Sequence, residues 1–181
     1  GVELYTLTEI SPFSLTKKAL SVSPDVIHLH WLHPFFLTSE KTYLKSAPAA
    51  AIFLLELFFL RLKGYSIVWT AHNKVNHEKR VFWVDYAVRR LVGKLSNAIQ
   101  AWNQEVKEDI ESHLNVTSDK IKIIAHGNYD RVYENLAMEP YEDTTYLVFG
   151  NLRPYKNVEA VAEAFIDKEV EGKLIIAGKP S

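Results

Sequence analysis

The stretch Tyr146–Lys179, YLVFGNLRPYKNVEAVAEAFIDKEVEGKLIIAGK, decides how the rest of the chain is read. A short β-prone run at Tyr146–Phe149 leads into a polar loop, helical periodicity follows over Val158–Phe165, and a second β-prone run closes the unit at Lys173–Ala177. Two strands joined through a helix read as parallel neighbours, the βαβ unit. The loop Gly150-Asn-Leu-Arg153-Pro-Tyr-Lys156-Asn157 follows the first strand and opens the helix, with two cations three residues apart. Free N–H groups at a helix start attract phosphate, and Arg and Lys add charge-assisted hydrogen bonds, so a diphosphate fits this loop. A solvated basic turn is the plainer alternative.

The same alternation extends upstream. Strand-like runs stand at Val2–Leu7, Asp25–Trp31, Ser66–Ala71, Ala98–Trp102 and Ile121–Ala125, and helical patterns cover Leu15–Val22, Ala47–Lys63, Arg80–Leu95 and Gln104–Leu114. Gly64 reads as a helix stop, and Asn103 and Asn157 as N-caps. The fold class expected is α/β, a Rossmann-like parallel sheet domain over 1–138, a polar linker over 139–145 containing Pro140, and a second α/β unit over 146–181. The second unit is too short to close a core by itself and reads as the first βαβ of a larger domain. The start at Gly1 and the stop after an apolar run point to further sequence at both ends.

Composition narrows the function. Twenty-one Lys+Arg against 22 Asp+Glu give a net charge of −1, which argues against a nucleic-acid binder and makes any anion site local. With no Cys there is no disulfide framework, Cys-ligated metal or thiol nucleophile. This composition is compatible with a reducing, cytoplasmic setting. The apolar run Ala47–Leu62 carries Glu56 and Arg61 and is too short for a confident membrane span, so it reads as a core helix.

In parallel sheets, ligands bind beyond the carboxyl ends of the strands, and the polar and aromatic residues of this chain gather there. The first such loop supplies His30, Trp31 and His33, with His28 and His30 on one strand face. These histidines suit hydrogen bonds to a polar ligand or to buried backbone; no carboxylate or Cys stands close by in sequence, and no metal site is expected. The second loop reads His72-Asn-Lys-Val-Asn-His77-Glu78. His72 and Glu78 are the candidate catalytic groups, since a His titrates near neutrality and a His–Glu pair beside it could orient sugar hydroxyls or help move a proton, while capping of the next helix would equally explain His77 and Glu78. The third, His126-Gly127-Asn-Tyr129, combines a ring pair with a glycine that permits a tight turn. We take His30, His33, His77, His126, Gly127 and Tyr129 as candidates for sugar or acceptor binding.

Three segments resemble the GT-B glycosyltransferases of family 4 type. Phe149-Gly-Asn-Leu-Arg-Pro-Tyr-Lys-Asn157 with Leu174-Ile-Ile-Ala-Gly-Lys179 looks like the start of that family's donor domain. Trp69-Thr-Ala-His-Asn73 with His77-Glu78, and Ile124-Ala-His-Gly-Asn128, look like loops of its acceptor-side domain. The resemblance implies transfer of a hexose from a nucleoside-diphosphate sugar to a saccharide or polyprenyl-linked acceptor, with no further cofactor. It also implies that Arg153 and Lys156 hold the donor diphosphate, that Gly150 and Asn151 shape the phosphate loop, and that His72 faces the transferred sugar. Retention of anomeric configuration is the course expected of family 4; an inverting relative would need a carboxylate base, for which Glu78 is the candidate. The family's paired glutamates are expected beyond Ser181, so the 181 residues alone are expected to be inactive.

Lys79, Arg80, Arg90 and Lys94, with Trp83, gather on one side of the helix after Glu78, a face that could rest on anionic lipid at the inner side of a membrane. A nucleotide-sugar epimerase or hydrolase on a similar scaffold, and a non-catalytic carbohydrate-binding or regulatory protein, are the rival readings.

Overall fold

The computed structural model describes residues 1–37, 43–72, 81–127 and 144–179. The chain divides into two compact units, Gly1–Gly127 and Asn128–Ser181. The first runs α1 (Ser14–Val22), β1 (Val26–Leu29), α2 (Tyr43–Leu62), β2 (Ser66–Thr70), α3 (Phe82–Leu95), β3 (Ala98–Ala101), α4 (Gln104–Leu114) and β4 (Ile121–Ile123). Its strands form one parallel sheet in the order β1-β2-β3-β4.

Register explains both faces of that sheet. Ile27 pairs with Ile67, Leu29 with Trp69, Trp69 with Ile99, and Ile99 with Ile121, so one face is a continuous apolar layer. This layer joins Leu15 and Ala19 of α1, Phe53, Leu57 and Leu60 of α2, Val88 and Val92 of α3, and Ile110 and Leu114 of α4 in a single buried cluster. Gly93 permits the close approach of α3: a Cβ there would lie 2.7 Å from Val116 Cγ2 and 3.6 Å from Ile99 Cδ1. The alternate face sets Val26, Val68 and Ala98 beside Ser66, His28, Thr70, Gln100 and Lys122 and is the more polar of the two.

The local signals act as their chemistry dictates. Asn103 Oδ1 accepts from Val106 N–H at 2.8 Å and caps α4. Gly64 takes φ 91° after α2, with its own N–H donating to Arg61 O and Tyr65 N–H donating to Leu60 O. Asn157 sits at the start of the last helix in a left-handed conformation, but its side chain makes no cap bond. Helix α2 begins at Tyr43, a turn before the expected Ala47, and so encloses Pro48. Lacking an N–H, Pro48 cannot donate to the Leu44 carbonyl.

One expected strand does not form. Residues Val2–Leu7 have no regular structure; Val2 and Leu4 stand almost fully exposed, and among the described residues no strand lies beside β1 on its free edge. A β-prone run gains little without a ladder and a buried face.

The second unit contains β5 (Thr145–Phe149), α5 (Val158–Asp167) and β6 (Lys173–Ala177), with the two strands parallel and in register from Thr145↔Lys173 to Phe149↔Ala177. None of its described residues is buried. Of the expected linker, residues 139–143 lie outside the described residues, and β5 begins at Thr145.

Candidate functional site

The carboxyl ends of β1 to β4 bring four aromatic rings into a row: Trp31 after β1, His72 after β2, Trp102 after β3 and His126 after β4. Parallel pairing sets these ends side by side. Trp31 and His72 stack with nearly parallel planes at 4.1 Å between ring centroids, His72 and Trp102 tilt at 5.5 Å, and Trp102 and His126 stack at 3.5 Å. His30 lies against this row, its Nδ1 3.3 Å from His72 Nε2, a hydrogen bond whenever just one of these two nitrogens carries a proton. His33 meets the edge of Trp31 at 5.6 Å.

A polar relay runs beneath the row on the open sheet face. His28 Nε2 is 2.8 Å from Thr70 Oγ1, the Thr70 hydroxyl donates to Gln100 Oε1 at 3.3 Å, and Gln100 Nε2 donates to the Ile124 carbonyl. Thr70 is fully buried, so the relay satisfies a hydroxyl that water cannot reach. Burial holds the His72 imidazole below its ordinary range, and the neighbouring His30, His126, Arg89 and His28 push the same way. His28 is lowered first by burial and then by His30. Both therefore favour the neutral ring, which can accept a proton or a hydroxyl hydrogen bond. Arg89 is itself buried in α3, its Nε 2.9 Å from Asp85 Oδ2.

Of the site residues expected from sequence, His30, His33, His72 and His126 converge on this edge. Gly127 follows the row without a left-handed φ, and a Cβ there would meet nothing within 4 Å, so its backbone does not demand glycine. His77, Glu78 and Tyr129 lie outside the described residues. Sequence reading missed Trp102 and the relay through Thr70 and Gln100. The available signal was positional: Trp102 follows β3 as His72 follows β2, and Thr70 and Gln100 share a strand face in register. Among the described residues no three His, Asp or Glu side chains gather closely enough to hold a metal ion.

In the second unit, Gly150 turns the chain out of β5 with φ 119°, a conformation that suits glycine. The Lys156 ammonium folds back over it, 3.2 Å from where a Gly150 Cβ would sit. The loop is tied to the end of β6 by Gly150 N–H donating to Ala177 O and Leu152 N–H donating to Lys179 O, each at 2.9 Å. Gly178 lies so close to the Gly150 carbonyl that any side chain there would collide with it. Asn151 and Arg153 are exposed; Arg153 lines a cleft shared with Asn157, Glu159 and Glu163.

Compared with known proteins, the chain matches no family model. It is 29% identical over 170 residues to a GDP-mannose:glycolipid 4-beta-D-mannosyltransferase of Xanthomonas campestris pv. campestris, across 93% of this chain and 46% of the relative. The chain thus spans about half the length of the curated relatives it matches. Two solved structures of Anabaena HepE superimpose on 93% of the chain at 14% identity. The complex with UDP and glucose gives a TM-score of 0.54 over 43% of that chain, and the complex with UDP gives 0.51 over 44%. This chain has a Rossmann-like α/β fold of the GT-B type. The parallel sheet of the first unit and the βαβ of the second are Rossmann-like pieces of that GT-B architecture, and the rings described above stand at the strand ends where such sheets bind ligands.

Proposed function

We propose that the protein containing this GT-B chain transfers a hexose from a nucleoside-diphosphate sugar to the saccharide of a lipid-linked acceptor. The observation that carries the reading is the Gly150–Asn157 loop: a left-handed glycine, a lysine ammonium drawn over it and a helix opening directly behind. Arg153 and Lys156 hold the donor diphosphate and stabilise the leaving phosphate, with each charged hydrogen bond worth about 1.5–3 kcal/mol. Residues 1–138 are the acceptor side, where neutral His72 and the rings beside it receive the sugars. Both the mannosyltransferase likeness and the UDP complexes of HepE support a nucleotide-sugar donor. Residues 146–181 are the start of the donor domain, and transfer takes place at the inner face of a membrane.

The stereochemical course separates two versions. Retention needs no enzymic base if the leaving phosphate assists the acceptor hydroxyl. The relative's name specifies a beta linkage; making such a linkage from an α-linked donor inverts the anomeric centre and calls for a carboxylate base, the role for Glu78. Product anomeric configuration by NMR, with Glu78→Gln alongside, distinguishes them.

The donor site is tested by titrating UDP and GDP calorimetrically into the full-length protein and into its Arg153→Ala/Lys156→Ala variant. Loss of two charged contacts should weaken binding by about a hundredfold or more. Equal affinity in the two proteins overturns the diphosphate assignment.

A further inference from the structure

Helix α2 is apolar on two opposite sides, and only one of them is used by the core. Ala50, Phe53, Leu57 and Leu60 are buried, whereas Leu44, Leu55, Phe58 and Leu62 face outward with 85%, 64%, 52% and 72% of their surface exposed. Together with the exposed Pro48 and Ala51, the outer residues recur at alternating steps of four and three, a straight stripe about 27 Å long on an α-helix. Single exposed apolar residues are ordinary; a continuous stripe along a twenty-residue helix marks a contact surface.

The charges on the helix indicate what makes that contact. Between Tyr43 and Gly64 the ionisable groups are Lys45, Glu56, Arg61 and Lys63. Glu56, the only acid, is buried and accepts from Thr16 N–H at 2.9 Å. The two exposed charges are cationic, Lys45 and Lys63, with Lys63 over the exposed Phe59 ring at 5.6 Å, while Arg61 is half-buried and donates to the Tyr65 carbonyl. A second copy of the same face would set cation against cation, whereas an anionic headgroup layer matches both the charge and the apolar stripe. Among the described residues no helix is long and apolar enough to cross a membrane, and α2 has its inner side committed to the core, so it can lie in the interface but not span it.

We propose that the outer face of α2, Leu44 to Leu62, docks on a bilayer surface containing anionic lipid. The inference rests on the reading of a lipid-linked acceptor and deepens it by naming an element that meets the lipid. On the basic side of α3, Trp83 is exposed, and Lys79 and Arg80 lie outside the described residues.

The test is flotation of the full-length protein with phosphatidylcholine vesicles, with and without phosphatidylglycerol, beside a Leu55→Ser/Phe58→Ser/Leu62→Ser variant. Three large apolar groups leaving the interface should lower vesicle partitioning by about a hundredfold or more, and omission of phosphatidylglycerol should lower it by at least about tenfold. Thermal melting and UDP or GDP titration of the same variant check that it is folded. Its loss of vesicles with nucleotide binding intact supports the docking face independently of the donor site. Failure of every form to bind nucleotide would count against the functional reading and leave the vesicle result standing. In a second arm, Phe58→Trp should be quenched by brominated lipid. Unchanged partitioning of the triple variant, or no quenching of Trp at position 58, overturns the proposal. So does a lipid-free dimer that the triple substitution dissolves while the parent protein ignores vesicles.

Discussion

His72 and His28 connect single-residue environment to a measurable property. Both imidazoles are held below the ordinary value of 6.5. As pH falls through that value, the unfolded chain takes up protons at these positions before the folded chain does. Stability is therefore fully present above 6.5 and declines as pH falls through the depressed folded values. Urea unfolding between about pH 8 and about pH 5 should show a falling midpoint, with a shallower slope in His72→Gln. An identical slope in that variant would mean that the ring cluster does not resist protonation. The same neutrality suits a ring that accepts from a sugar hydroxyl, so activity should fall over the same acidic range. What sequence offered at this scale was residue type and strand-end position. It did not offer the stacking of Trp31 on His72 or of Trp102 on His126, because those contacts depend on which strands become neighbours.

Among elements, α2 shows why periodicity alone was an incomplete guide. Its sequence is apolar nearly all round, which reads as a core helix, but a helix packed by one side onto a single sheet has an outer side that the core cannot reach. Glu56 explains itself only in three dimensions: its carboxylate fixes the first turn of α1, a helix without a side-chain cap of its own. Glu56→Ala should cost about 1–3 kcal/mol in denaturant unfolding, since it leaves the Thr16 N–H without its acceptor. Hydrogen exchange should then rise selectively across Leu15–Val22. Protection there that is unchanged would show that packing of Leu15 and Ala19 holds α1 in place unaided. The strands from Asp25 onward were legible because each pairs a β-prone run with an adjacent helix of clear period. Val2–Leu7 had the composition without a neighbour, and composition was not enough.

On the scale of the whole molecule, the two units differ in how much apolar surface they hide. The first encloses one cluster that includes Trp69, Phe53 and Leu57, each with no more than 1% of its surface exposed. The second has no buried residue among those described, and Phe149, Leu147 and Ile166 stand open at 80%, 61% and 73%. Hydrophobic burial is the main force opposing chain entropy, and a two-stranded sheet with one helix hides too little to prevail. Residues 1–127 expressed alone should therefore unfold cooperatively in urea and keep near-ultraviolet dichroism from packed Trp69. Residues 128–181 alone should show neither a cooperative transition nor protected amides in β5 and β6. Protected amides throughout β5 and β6 in that isolated piece would refute the argument, because they would require stability from a source other than burial. If the piece is unfolded alone, the Gly150–Asn157 loop acquires its shape only when something covers those strands, and donor binding becomes linked to that covering. Nucleotide affinity should then be lost in the isolated piece even with Arg153 and Lys156 intact, which separates a folding requirement from a charge requirement at the same loop.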